Sequence, residues 1–377
     1  NDSSDRNDDS LNPSECGYDA DRGSETDSKD NLEELAYFNA KRNLDEIKQS
    51  RYWAPRKYRK SDDTVFKKHE ETSDGCFFND NEFKEQYRCS RDAFEWILQQ
   101  IADHPVFNNA PGRKCRKQTP ARQQLMMLLH FLGMESSTNR TQRAVYWKST
   151  GLAYTSRKRC IHAILALRDK YVIWPDGEER KEIAARILRD YQLPNVVGII
   201  DGTLLELGIM PEADDKADYS GQKYPFSLSV LIVNNDTGKI RYFLAGFPGT
   251  AHDNRIWKKT KLCLKKEEYF SLVEYLLGDS AFECSDIMVS AFKKQKDKTI
   301  SLDHRQFNRA LAKPRVCSEH CIGIWKGRFP WLRKIRKIIT NETESLRDIL
   351  RHIECCVVLH NMLCLLYTSP SPRDQAK

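Results

Sequence analysis

Asn195-Val196-Val197-Gly198-Ile199-Ile200-Asp201-Gly202-Thr203 is an apolar, largely β-branched run that ends in an acid and a glycine. The pattern predicts a buried strand whose C-terminal end delivers a carboxylate to an edge of a sheet. Asp-Gly is also a common turn dipeptide, so the pair alone leaves a turn open. The same design returns at Val273-Glu274-Tyr275-Leu276-Leu277-Gly278-Asp279. If the two strands are parallel neighbours, Asp201 and Asp279 meet at their carboxyl ends, where open α/β sheets place their sites.

The segments around these strands predict an α/β order. Pro211 to Lys223 reads as a polar insertion. Phe226, Leu228, Val230 and Ile232 then alternate with Ser227, Ser229 and Leu231 at strand period. Asn234-Asn235-Asp236-Thr237-Gly238 turns the chain, and Ile240 to Ala245 returns as a hairpin partner. A polar helix is expected from Asp253 to about Lys266, and helices after Asp279. The result is a mixed sheet flanked by helices over 195–366.

Upstream, residues 83–190 read as all-helical. Ser90 caps a helix carrying Phe94, Ile97, Leu98 and Ile101, and Thr119-Pro120 opens another with Leu125, Leu128, Leu129 and Leu132 inward. Residues 138–171 predict two helices with a turn at Ser149-Thr150-Gly151. The second begins near Thr155-Ser156, so Arg157, Lys158 and Arg159 fall in its first turn. Three cations there oppose the macrodipole, which makes sense if that end points into DNA as in a helix-turn-helix. An ordinary helical hairpin stays open as the alternative.

Charge is divided unevenly along the 377 residues. Residues 1–35 hold 12 acids and 3 bases, a net of −9, which leaves +16 on the rest of a chain whose formal charge is +7. A basic body of that size points to a polyanionic partner, nucleic acid first. The acidic start and the basic, aromatic Arg51-to-Lys60 stretch form an expected disordered tail over 1–75. The basic stretch suits a phosphate contact, a nuclear import signal or a plain linker. Twelve cysteines at irregular spacing read as reduced thiols of an intracellular protein, and no apolar run of membrane-spanning length is expected. The chain starts at Asn1 without a methionine, so a preceding segment is expected. Residues 367–377 break the helical pattern and read as a non-native tail.

Two carboxylates side by side repel, and the usual remedies are a raised pKa or a bound cation. Mg²⁺ favours such oxygen ligands together with substrate phosphates. The third acid expected is Glu319, on a helix opened by Lys313-Pro314, with Lys326 seven residues on and on the same face. Two aspartates and a glutamate can hold two Mg²⁺ ions roughly 3.5–4 Å apart. His252 and Asp253 are uncertain members: Asp253 suits either a metal or substrate contact or a helix N-cap with an ion pair to Arg255. Lys326, Arg328 and the cluster Arg333, Lys334, Arg336 and Lys337 are expected to meet backbone phosphates. Cys317, His320 and Cys321 fit no common zinc spacing.

Four blocks, in order, carry a family resemblance: Ile200-Asp201-Gly202-Thr203, Pro248-Gly249-Thr250-Ala251-His252-Asp253-Asn254-Arg255, Leu277-Gly278-Asp279-Ser280-Ala281-Phe282, and Ser318 to Phe329. Over about residues 83–366 the chain resembles the Harbinger-type DDE transposases. The resemblance implies an RNase H-like catalytic domain that cuts DNA and joins strands with two Mg²⁺ or Mn²⁺ ions, behind an N-terminal all-α, helix-turn-helix-like region. It assigns Asp201, Asp279 and Glu319 as catalytic, metal-binding acids. DNA is the implied partner, with a separate DNA-binding accessory protein or a homo-oligomer as further candidates, and the nucleus is the implied location. A domesticated, catalytically inactive DNA-binding or chromatin protein on the same fold is the alternative. Leu204 stands where the family often has His, and Ser280-Ala281-Phe282 replaces a commoner Ser/Arg-Gly-Tyr, which bears on activity rather than fold.

Overall fold

The structure, a computed structural model, describes residues 79–108, 118–135, 150–221, 223–293 and 301–368. The expected acidic and basic tail, the first helix of the 138–171 pair and residues 369–377 lie outside them.

The sheet is built on β1 (Val196–Leu207). It is longer than its apolar run predicts, because Asp201-Gly202 is not a turn. The strand continues for six residues past Asp201, and Asp201 sits opposite Ile232 of β2 (Ser227–Asn234). β2 forms a hairpin with β3 (Ile240–Pro248) through the predicted turn. There the Asn235 side chain accepts from Thr237 and Lys239, and Gly238 takes φ +76, a conformation that suits glycine. Asp236 at the turn receives a two-pronged Arg186 contact at 2.6 and 2.9 Å.

On the other side of β1 lies β4 (Tyr275–Gly278), parallel, and then β5 (Met288–Ser290), also parallel. The order is β3-β2-β1-β4-β5, with a two-residue β6 (Lys334–Ile335) parallel to the far end of β1. β4 pairs with β1 as far as Ile199 and β6 from Glu206. Between them, among the described residues, one side of β1 is free of strand neighbours, and that open stretch contains Asp201 to Leu205.

Helices cover both faces of the sheet. α1 (Asp80–Tyr87), α2 (Arg91–Ile101), α3 (Ala121–Leu132) and α4 (Thr150–Leu165) precede it. The Ser90 cap is as predicted, its hydroxyl accepting from Ala93 N–H at 3.3 Å. Pro120 is the N-cap of α3 rather than its first residue. α5 (Gly177–Tyr191) leads into β1. The polar helix expected at 253–266 is three short pieces, of which α6 (Asp253–Trp257) is the first. Thr260 breaks it, its side chain capping Cys263 N–H at 3.1 Å. α7 (Leu302–Arg328) starts eleven residues before the Lys313-Pro314 predicted to open it and contains Pro314 in its interior.

α8 (Thr343–Thr368) closes the fold. It is long and apolar enough by composition to cross a membrane, contrary to the sequence expectation, yet most of that stretch is buried in the protein. Ile349, Ile353, Val357 and Leu363 share one core with Phe94 and Leu125 of the helical region and Leu205 and Ile232 of the sheet. Burying such apolar side chains is worth about 1.5–3 kcal/mol each, so this shared core unites helices and sheet. The buried Asn361 on α8 accepts from Ile240 N–H at 2.9 Å and donates to the carbonyls of Ile240 and Tyr171, leaving no amide atom without a partner.

Candidate active site

The β1/β4 register is what assembles the site. Ile199 pairs with Leu277 on strands about 4.8 Å apart, and Asp201 and Asp279 each follow two residues further along, Asp279 just past the end of β4. β4 stops at Gly278, and Asp279 turns its carboxylate to accept from Ala281 N–H at 2.7 Å. Asp201 accepts from Gly202 N–H at 3.0 Å.

A third carboxylate joins them, and it is Asp253. The N-cap of α6 is His252, so Asp253 is the first helical residue and not the cap that sequence allowed. Its carboxylate lies against the bare Cα of Gly202, where a methyl group would overlap it. This close approach, rather than a turn, is what requires glycine after Asp201. The loop before α6 is held by Thr250, whose hydroxyl donates to Asp218 O at 2.7 Å. Asn254, the next residue, accepts from Glu283 N–H at 3.3 Å and ties α6 to the segment after Asp279.

The Asp279 charge bears on both Asp201 and Asp253. Burial, reinforced by the Asp279 and Asp253 charges, pushes Asp201 up to about 6, against the opposing pull of Arg315 and the Gly202 N–H. Burial and the Asp279 charge also raise Asp253. Three oxygen-donor carboxylates under mutual repulsion have the chemistry of a hard-cation site, so the residues present suit Mg²⁺ or Mn²⁺. Among the described residues, however, no group of three or more His, Cys, Asp and Glu side chains is drawn together tightly enough to hold a metal ion.

Glu319 is exposed on α7, and the charges that bear most on Asp201 are those of Arg315, Asp279 and Asp253. α7 instead presents Arg315, one turn before Glu319, to Asp201. Sequence reasoning missed Arg315, although its four-residue spacing from Glu319 was a usable signal. Its Nε is buried without a hydrogen-bond partner.

Lys326 is at the site but engaged differently from the expected phosphate contact. Its amine donates to Thr203 Oγ1 at 2.7 Å and to Leu204 O at 2.8 Å, in the open stretch of β1. It thereby supplies a donor that a neighbouring strand would otherwise provide. Burial, with Lys223 and Arg333 nearby, lowers its pKa to about 8.

The remaining expected DNA contacts divide. Arg333 and Arg336 are exposed. Lys334 pairs with Glu206 at 2.7 Å. Lys337 is turned inward to Asp348 and His352. Arg328 reaches His360 and Cys364 on α8. Arg157 is buried, its guanidinium 4.0 Å from the centre of the Phe131 ring, and burial lowers its pKa to about 10. α4 extends back at least to Thr150, so Arg157, Lys158 and Arg159 stand in its middle rather than its first turn. Arg157 is therefore an interior residue, while Lys158 and Arg159 are partly exposed. The described cysteines are free thiols.

Residues 200–361, from the strand that carries Asp201 to the Asn361 clamp on α8, match the family model of the DDE superfamily endonucleases. That segment is thus similar to transposase-like nucleases, and a mixed α/β sheet flanked by helices is consistent with such a domain. Comparison with curated proteins and with solved structures finds no match.

Proposed function

We propose that the protein is a metal-dependent DNA endonuclease and strand transferase of the Harbinger type, acting in the nucleus on an RNase H-like core. The observation that carries this reading is the parallel β1/β4 register, from which Asp201 and Asp279 each follow two residues past the Ile199–Leu277 pair, within a β3-β2-β1-β4-β5 sheet. That order, with one antiparallel hairpin and two parallel strands around a central acid-bearing strand, is what an RNase H-like core requires. The endonuclease match over the same segment supports it.

In this reading Asp201 and Asp279 hold divalent metal, Mg²⁺ or Mn²⁺, and Glu319 completes the set from α7. Bound metal would supply an activated water or 3′-hydroxyl and charge neutralisation at the leaving oxygen. Asp253, in contact with the Gly202 backbone, lends its charge to the same end of the sheet. Arg315 offsets the negative charge gathered around Asp201. Arg333 and Arg336 face solvent as backbone-phosphate contacts, and the net positive charge of the chain draws DNA in. An accessory DNA-binding protein or a second copy of the chain would complete target selection.

The test is purified protein with Mg²⁺ or Mn²⁺ on DNA carrying terminal repeats, scored for nicks and strand-transfer products. Asp201→Ala and Asp279→Ala abolish both products, and cleavage unchanged in Asp279→Ala overturns the assignment. Exposure of Glu319 favours one rival, a DNA-binding protein without catalysis on the same fold. Metal-independent DNA affinity with no nicking would select it.

A further inference from the structure

The chain just past β5 carries an aromatic group that neither the core nor the acid cluster uses. Ser290 of β5 pairs with Gly278, the residue before Asp279. Phe292 therefore follows at the same end of the sheet, one strand over, with its Cα on the order of 10 Å from that of Asp279. The residue is 45% exposed.

Phe292 is nevertheless fixed in place. Asn308 of α7 accepts from its N–H at 2.8 Å and donates to its carbonyl at 3.0 Å. One ring face lies flat on the His304 imidazole, with centroids 3.8 Å apart and planes 13° from parallel. Phe307 meets the ring edge-on, centroids 5.3 Å apart. Lys293 follows Phe292 in the chain, and Arg305 and Arg309, next in sequence to His304 and Asn308 on α7, are exposed, as is Asp303 on the first turn of that helix. A braced aromatic face, with exposed cations on the two chain segments that meet there, is matched to a nucleobase attached to phosphates, because every base has a π-face to stack.

We propose that Phe292, backed by His304, is a stacking platform for one unpaired base of the nucleic-acid substrate, next to the strand end that bears Asp279. The identity of the substrate rests on the nuclease reading above. The platform itself needs only a base freed from its pair.

The experiment uses the full chain in EDTA, so that binding is read without cutting. The probes are a fully paired DNA duplex and the same duplex with one unpaired 2-aminopurine. Wild-type protein binds the unpaired probe more tightly and quenches its fluorescence on stacking. Phe292→Leu keeps an apolar side chain but has no π-face. It weakens binding of the unpaired probe by roughly 5- to 150-fold and abolishes the quench, while the paired duplex binds as before. Phe292→Trp retains both. If Phe292→Leu binds and quenches like wild type while duplex binding is intact, the platform is wrong and the nuclease reading stands. If wild-type protein binds neither probe at low salt, the nuclease reading fails and the platform with it.

Discussion

Replacing Asp201 with asparagine removes a partly buried negative charge that the fold holds at a disadvantage. The sign follows from its pKa, raised to about 6 in the folded chain against an ordinary 3.8. A carboxyl that binds its proton more tightly when folded carries no penalty below 3.8, a growing one as pH rises from 3.8 to 6, and a constant one above. At 1.36 kcal/mol per pKa unit, the penalty is about 3 kcal/mol at pH 7, about 1.5 at pH 5 and about 0.5 at pH 4. Asp201→Asn is therefore more stable than wild type at neutral pH by up to about 3 kcal/mol, an upper figure because solvent and neighbours relax. In thermal melts with EDTA that corresponds to roughly 5–10 °C. The gain shrinks toward zero by pH 4. Millimolar Mg²⁺ narrows it from the other side, raising the wild-type midpoint and not that of the variant. A variant no more stable than wild type at pH 7, or a gain that does not fade with acid, would refute the electrostatic account.

Gly202→Ala forces Asp253 off the strand, because the new methyl occupies the place of its carboxylate. Nicking falls at least tenfold while the circular dichroism spectrum stays that of wild type. Lys326→Met leaves Leu204 O and the Thr203 hydroxyl without their donor, a loss of about 1–3 kcal/mol in urea unfolding at pH 7. The folded amine loses its proton at about 8, below its ordinary 10.5, so the penalty for burying its charge is full below pH 8 and fades by 10.5. Wild type consequently gains on Lys326→Met as pH rises across that window. Asn361→Ala removes bonds to Ile240 and Tyr171 and lowers unfolding stability by about 3 kcal/mol, with faster hydrogen exchange at Ile240.

The strands were legible in the sequence because their period is short and their ends are marked. Phe226 to Ile232 alternates, the Asn235–Gly238 turn has strong turn chemistry, and both Asp201 and Asp279 follow apolar runs. The extent of β1 was not legible. Whether Asp-Gly bends or continues depends on Asp253, 52 residues away, resting on Gly202. The start of α7 was obscured by Pro314, which usually opens a helix and here lies inside one. Charge was the least transferable reading. Composition says how many cations the surface needs, not which ones face it. Of the predicted contacts, Arg157, Arg328 and Lys337 are committed inward, and only packing against Phe131, His360 and Asp348 reveals that. Arg315 and Asp253 came into view through what they approach, a relation carried by the third dimension alone.

The Asn361 clamp has a consequence for how the protein is made. Asn361 is synthesised 121 residues after Ile240, yet it satisfies both backbone groups of that β3 residue. Until α8 leaves the ribosome, the first residue of β3 and the apolar surface that Ile353, Val357 and Leu363 will cover stand open to water. A nascent chain halted near residue 340 has every strand of the described residues and Asp201, Asp253, Asp279 and Glu319, but lacks its lid. It is therefore a client for chaperones and prone to pairing with its neighbours through the β3 edge. Emergence of α8, rather than completion of the sheet, is then the step at which the fold becomes safe to accumulate.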